Sequence, residues 1–497
     1  MSNSAAVKWR AHCAACLYLV ALIPSLAAAA PVYQPPSSNL TYGDVTHGQR
    51  VMSASSNPAA AAADLARGGG RAATGTHISA SAGIEYGNVQ ELFDVIDELS
   101  AWFAPSPPQP GAPPPGQKPD EKPPNGIDIG KIIDSLDPDL RATLEIVANE
   151  VATQAALLGL IAAEGYGKAF IAADAPVVIG REMLGGAWTV GVNWSGTSKA
   201  FGIAEPINFD FDAALAALEA SFDLMPGDPP EVFDLTGGVF MWVDPNTDNV
   251  RIRFVNDSAL VTKAAQTIEL NAGYSRQVWP TAAGTLFLGG EAKYYKMRLS
   301  RISVRFGDIT DSDELFDAIR NSDFRDDSGF GLDLGALWVA DNYQLGAQIT
   351  DINEPTFRFP RGDLSRFTNS LILSRLAADE KYTMERQLKL EASLFSTNRR
   401  WTANMGLDAN AVPDPMGDDF QWFTLSAGYA TDSWWLPGVR LGFRKNLAGT
   451  EIGYLAAGVT AFKIVNFDIA SSIETVKISG TRLPQGLMAS IGFQIAF

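Results

Sequence analysis

Few residues in this 497-residue chain could carry covalent or metal chemistry. Its only cysteines are Cys13 and Cys16, and its only histidines are His12, His47 and His77. With the first thirty residues removed, Cys/His zinc sites, thiol nucleophiles and disulfide scaffolds are all excluded. A Ser-His-Asp hydrolase would have to use His47 or His77, both in a stretch rich in Gly, Ala and Ser. Gly165-Tyr166-Gly167-Lys168 lacks the upstream glycine of a phosphate loop, because Ala162 stands in its place. Asp244, Asn246 and Asp248 open like a calcium loop, but Asn249 replaces its glycine and Val255 its closing glutamate, so a polar hairpin turn is expected. Arg361-Gly362-Asp363 reads as a chance loop tripeptide. No catalytic residue, cofactor site or metal site is expected.

The elements that would have to position any chemistry begin with an export signal. Lys8 and Arg10 precede an apolar run from Ala14 through Leu22, and Leu26-Ala27-Ala28-Ala29-Ala30 supplies small residues before Pro31. Cleavage there removes two of the 38 basic residues and none of the 56 acidic ones, leaving a net charge of -20. That acidic balance argues against nucleic acid as a partner, since phosphate binding needs clustered Lys and Arg. No later stretch reads as a membrane helix. Val151 to Ala173 comes nearest, but Gln154, Glu164, Lys168, Gly165 and Gly167 interrupt it, and it reads as a protein-packed helix. An exported chain without a membrane helix is soluble or a β-barrel.

Most of the remaining sequence repeats with a period of two. At the C-terminus Leu487, Ala489, Ile491, Phe493, Ile495 and Phe497 alternate with Met488, Ser490, Gly492, Gln494 and Ala496. Such alternation marks a strand whose faces meet different surroundings. The same pattern recurs in Leu388 to Leu394, Trp401 to Leu407, Phe423 to Tyr429 and Val439 to Phe443. Earlier runs are Trp188 to Trp194, Ile268 to Tyr274, Thr285 to Leu299, Leu332 to Ala340 and Tyr343 to Ile349. Their length of about ten residues is what a tilted strand needs to cross hydrocarbon.

A secreted sandwich would show the same alternation. The polar faces separate the two readings: they are largely Gly, Ser, Thr and Asn, which suits a confined lumen, although Glu385, Lys389 and Glu391 also appear there. We therefore expect an all-β, antiparallel transmembrane β-barrel of about 14 strands, within a range of 12 to 16. Nine of the 11 Trp lie at or after Trp188, several near predicted strand ends, as an interfacial belt would require.

Three parts break the pattern. In residues 31–76, Asn57-Pro58-Ala59 leads into an Ala-rich run, a sound helix start with an Asn cap and Pro in the first turn. Lying before the first strand, this segment is placed to fold inside the barrel as a plug; a flexible leader is the other reading. Residues 88–165 form a helical and Pro-rich insertion, with Leu92, Phe93, Ile96, Leu99 and Phe103 at helical spacing, prolines across 105–125, and a second helix over about Asp137 to Ala163. Further helices are expected near Phe211 to Phe222 and Asp311 to Arg320.

Ser55-Ser56-Asn57-Pro58-Ala59, the plug candidate and the strands ending in Phe497 resemble the FadL-type outer-membrane transporters for hydrophobic compounds. Ala82-Gly83-Ile84-Glu85-Tyr86-Gly87 before Asn88-Val89-Gln90-Glu91-Leu92, and Gly331-Leu332-Asp333-Leu334-Gly335-Ala336 with Asp351-Ile352-Asn353-Glu354-Pro355, resemble the exported TraF-like conjugal transfer proteins. The resemblance implies a 14-strand barrel with an N-terminal hatch, and gives the hatch role to Asn57, Pro58 and Ala59. Separately, the aromatic last residue with apolar residues at every second place before it, Ile491, Phe493, Ile495 and Phe497, resembles the C-terminal signal by which the assembly machinery recognises outer-membrane barrels. The implied domains are a signal peptide over 1–30, a plug over 31–76 and a barrel over 77–497 interrupted by the insertion.

The implied location is the cell outer membrane of a Gram-negative bacterium. The implied partners are outer-membrane lipid, hydrophobic small molecules and conjugation-apparatus proteins. The Pro-rich insertion departs from the fatty-acid transporters, and the alternative role is structural, with that insertion docking a periplasmic or surface partner.

Overall fold

The computed structural model of the protein describes residues 37–46, 56–67, 74–87, 165–207, 227–235, 237–244, 249–309, 322–378, 380–478 and 481–496, with single residues 210, 225 and 246. The export signal, most of the 88–165 insertion and the helices expected near 211–222 and 311–320 lie outside the described residues.

The strands, in chain order, are β1 (Gly75–Tyr86), β2 (Tyr166–Met183), β3 (Gly186–Ile203), β4 (Glu231–Asp234), β5 (Val239–Asp244), β6 (Asn249–Phe254), β7 (Ala259–Thr281) and β8 (Gly284–Arg305). They continue with β9 (Arg325–Val339), β10 (Tyr343–Thr350), β11 (Thr356–Arg358), β12 (Lys381–Thr383), β13 (Gln387–Phe395), β14 (Trp401–Asp408), β15 (Val412–Pro413) and β16 (Asp419–Phe420). The last are β17 (Trp422–Tyr429), β18 (Gly438–Asn446), β19 (Gly453–Ala461), β20 (Val465–Ser472), β21 (Thr475–Ile478), β22 (Thr481–Pro484) and β23 (Gly486–Ala496).

Fourteen of them close into one antiparallel barrel in the order β1-β2-β3-β7-β8-β9-β10-β13-β14-β17-β18-β19-β20-β23, and β1 completes the ring by pairing with β23. This is the expected strand number and sense. Closure leaves no edge strand with unpaired backbone groups, the condition for a sheet to stand in hydrocarbon. The barrel is inside-out relative to a soluble protein. Leu441, Leu455, Ile469 and Leu487 point outward, 68, 61, 51 and 41 % exposed, while their neighbours Arg440, Tyr454, Asp468 and Met488 are buried inside.

The two ends differ. At one end the connections are tight: Leu184 and Gly185 alone join β2 to β3, both at positive φ, the geometry of a two-residue hairpin turn. At the other end the connections are long and carry the small sheets β4-β5-β6, β11-β12, β15-β16 and β21-β22. β1 ends at Tyr86 and β2 begins at Tyr166 at this same end. Asp244 and Asn249 close the β5–β6 hairpin, the turn the sequence predicted there.

The wall is also uneven in height. Strands β10, β13, β14 and β17 through β20 have 8 or 9 residues, whereas β2, β3, β7 and β8 have 18, 18, 23 and 22. At about 3.3 Å per residue, nine residues match the hydrocarbon thickness and 23 overshoot it more than twofold. The tall half therefore rises beyond the apolar band and walls a mouth on one side. One expectation is corrected here: Tyr166 to Ala173 is strand and not the end of a helix. Lys168, Phe170 and Asp174 face in, while Ala169, Ile171 and Ala173 face out. Alanine gives too little contrast between the two faces for the alternation to show in the sequence.

Candidate functional site

The lumen on the tight-turn side is filled by the chain's own N-terminal residues. A short helix, Asn39–Tyr42, lies against the short wall, and a second, Ala60–Arg67, lies against β2, β3, β7, β8 and β9. Asn39 Nδ2 donates to Ser56 Oγ at 2.9 Å and ties the two pieces together. Ala59 through Ala63 and Leu65 pack with Val178, Ala187, Phe287 and Leu337 in one apolar cluster. Alanine suits this face because a helix in a lumen only 14 strands round has no room for longer side chains.

The wall is shaped for the plug by missing side chains. A Cβ on Gly289 would stand 2.2 Å from the Pro58 carbonyl oxygen, and one on its cross-strand neighbour Gly335 would stand 2.2 Å from Asn57 Oδ1. Glycine at this pair lets the Asn57-Pro58 backbone lie directly on the sheet.

Polar side chains then fix the plug. Asn57 Oδ1 accepts from Ala59 N at 2.9 Å, the cap expected from sequence, and Asn57 Nδ2 donates to Glu391 Oε1 at 3.0 Å. Thr46 donates to the same carboxylate through its N–H and its hydroxyl. Lys389 Nζ lies 2.6 Å from Asp44 Oδ2. On the short wall Arg440 Nη2 meets Asp468 Oδ2 at 2.5 Å, and Thr41 of the plug donates its hydroxyl to that aspartate. Lys389 and Glu391, the charges out of place for a plain lumen, are therefore the plug's anchors.

Above the plug a cavity of about 250 Å³ is bounded by Asn39, Asp44 and Pro58 and by the inner faces of the tall and short walls. Its lining is polar: Glu269, Glu291, Lys293, Asp333 and Asp351 stand on one side, and Lys389, Asp408 and Arg444 on the other. Lys293 pairs with Asp333 at 2.7 Å, and the Arg444 guanidinium stacks 4.1 Å over Trp422.

The mouth above the cavity has an apolar core of Tyr295, Met297, Leu299, Phe357, Phe359, Tyr382, Met384 and Met416, contributed by the tall wall and by the loops that fold in against it. Outside the barrel strands, Asp418 in the β15–β16 connection is charged well below the usual carboxylate range: burial acts against the charge, and the Lys168 and Lys199 ammonium groups outweigh it.

Most of the sequence-derived positions fall within the described residues. Asn57, Pro58 and Ala59 sit at the wall of the plug. Ile491, Phe493 and Ile495 point outward from β23, with Phe493 opposite Ile78 of β1, and Phe497 lies outside the described residues. His77 is fully buried against the Asp174 carboxylate, and the Ser79 hydroxyl donates to that same carboxylate. A hydrolytic triad needs its serine on the imidazole, so the hydrogen-bond order here is that of a structural cluster. Asp363 of the Arg361-Gly362-Asp363 tripeptide accepts from Ser365 N and Oγ at 3.0 and 2.6 Å, an ordinary local turn. Sequence reasoning missed Gly289, Gly335 and Asp468, for which only the excess of lumen-facing glycine and charge was visible.

The fold and its contents define an outer-membrane-type β-barrel of 14 strands, closed from within by its own N-terminus. Residues 54–408 match the family described as "F plasmid transfer operon, TraF, protein", and the chain belongs to that family. Solved structures similar to it include the TodX ΔS2S3 mutant monoaromatic hydrocarbon channel (10 % identity, 88 % of this chain and 92 % of that one, TM-score 0.40). Others are a Pseudomonas aeruginosa FadL homologue (12 %, 95 % and 99 %, TM-score 0.33) and the Ralstonia pickettii toluene transporter TbuX (11 %, 93 % and 98 %, TM-score 0.37). No curated protein matches the sequence.

Proposed function

We propose that this chain is an outer-membrane conduit for small molecules, with its N-terminal plug as the moving part. The observation that carries the reading is the plug itself: residues 37–46 and 56–67 occupy a lumen whose walls bear glycines and charges placed to receive them. A barrel needed only as a membrane anchor has no use for a fitted, hydrogen-bonded stopper. In bacterial barrels short turns face the periplasm and long loops the outside, which supports a plug on the periplasmic side. The family's description as a transfer-operon protein supports a setting linked to conjugation, and the partners that go with this proposal are the barrel-assembly machinery and conjugation-apparatus proteins.

The polar lining of the cavity favours small polar solutes. A second reading, uptake of hydrophobic small molecules, is favoured by an apolar recess of about 740 Å³ on the outer wall, where Ala82, Ala457 and Ala489 lie between Leu441, Leu455 and Leu487. Proteoliposome uptake of a polar and an apolar solute tests both, using the wild-type chain and a plug-loosened Gly289→Leu variant. Faster entry through the variant is expected. If neither protein admits either solute while both migrate as intact barrels in cold detergent, the conduit reading fails. Deleting 88–165 separates this role from docking, since passage should survive the deletion and partner capture should not.

A further inference from the structure

The plug closes the tight-turn side of the lumen, but a different segment crosses the other side. The connection 409–421 leaves β14 and returns to β17, the ninth and tenth strands of the ring. Its tip reaches Lys168 on β2 and Lys199 on β3, the second and third strands, so it spans seven strands, the full diameter of a 14-strand barrel. Lys168 and Lys199 are cross-strand neighbours. Lys168 Nζ lies 2.5 Å from Asp414 Oδ2 and 2.8 Å from Asp418 Oδ2, and Lys199 pairs with the other oxygen of Asp418.

The tip is shaped for this contact. Asp414 Oδ1 accepts from Met416 N and Asp418 N, both at 2.9 Å, which folds the chain so that both carboxylates face the same way. Gly417, at φ +92°, completes the turn. Met416 enters the apolar core of the mouth, and Lys263 Nζ lies 3.4 Å from its carbonyl oxygen. The base is fixed separately: Gln387 Nε2 donates to the Asn410 and Phe420 carbonyls, and Gln421 Nε2 to that of Asp408. A segment anchored at its base and clasped at its tip by three ion pairs among four charged groups is one whose tip can let go while its base stays fixed.

We propose that the 409–421 connection is a releasable strap across the outer mouth, a second closure beside the plug, held by the Lys168/Lys199 clasp on Asp414 and Asp418. Its role as a gate rests on the conduit reading; its release does not.

Two measurements on the full-length protein in lipid bilayers keep these apart. In the first, Met416→Cys reports opening through its labelling by a membrane-impermeant maleimide, and no other cysteine follows Cys16. Adding Asp414→Asn and Asp418→Asn should raise the labelling rate at least tenfold. An unchanged rate, with the barrel still heat-modifiable, overturns the clasp. In the second, the Gly289→Leu background is read by bilayer conductance. The two Asn substitutions should increase conductance severalfold, and bridging Lys168→Cys to Asp418→Cys with a reducible bifunctional thiol reagent should abolish it until reductant is added. Conductance through the plug-loosened channel that ignores both changes overturns the gate and leaves the conduit standing. If no variant conducts yet labelling still rises, the conduit fails and the releasable strap holds.

Discussion

The two ends of the lumen are closed by different physics. At the tight-turn end the plug is held by close backbone fit, hydrogen bonds and the Asp44–Lys389 ion pair, spread over β10, β13, β17, β20 and β23, so no single contact is a switch. At the mouth the strap meets the opposite wall through four charged groups at one point, backed by Met416. A distributed fit loosens gradually, whereas a point clasp is made or broken as a unit. The uneven wall is what allows this, because only the tall half stands high enough to offer the strap a partner.

The largest way to break the contrast is at Asp468. Asp468→Asn leaves the Arg440 guanidinium buried without its counter-charge, and losing one member of a buried pair costs about 3–5 kcal/mol. Denaturant titration of the lipid-embedded barrel should register that loss, while Met416→Cys labelling at the mouth stays as in wild type; a loss below about 1 kcal/mol would show that the pair is solvated.

Next comes overpacking of the plug seat. Gly335→Leu forces a side chain into the Asn57-Pro58 backbone and should destabilise by about 1–3 kcal/mol. Limited proteolysis between residues 37 and 67 should speed up although the barrel remains resistant. Equal protection in variant and wild type would mean that the plug does not bear on this wall.

Asn57→Ala is milder. It removes the cap and the tie to Glu391, worth about 1 kcal/mol, and should increase amide exchange in Ala60–Arg67 without changing barrel unfolding.

The smallest expected effect sharpens the comparison by its absence. Asp418 titrates below the ordinary carboxylate value of about 3.9, so the stability it lends the clasp is present above that value and lost only as pH falls below it. Labelling of Met416→Cys should therefore be flat between pH 8 and pH 5, and a rise within that window would move the clasp's charge to another group.

Much of this was legible in the sequence. The alternation from Leu388 to Phe497 gave strand, outward face and barrel, because lipid on one side and a lumen on the other impose a period of two on every spanning segment. Asn57-Pro58 announced a capped helix before the first strand, since capping is a local property of four or five residues. The charges Lys389 and Glu391 could be seen as misfits on a lumenal face, but not as anchors, because Asp44, Thr46 and Asn57 lie more than 330 residues away along the chain.

The same separation hid the clasp. In the sequence Lys168 is a charge that interrupts an apolar run and ends an incomplete phosphate-loop pattern, and Asp414 and Asp418 sit in an unremarkable turn about 250 residues downstream. Residue types and their spacing determined which faces meet lipid and how the wall is made. Which groups meet across the lumen was decided by barrel closure, for ring order alone sets β14 and β17 opposite β2 and β3 and brings distant charges within reach of one another.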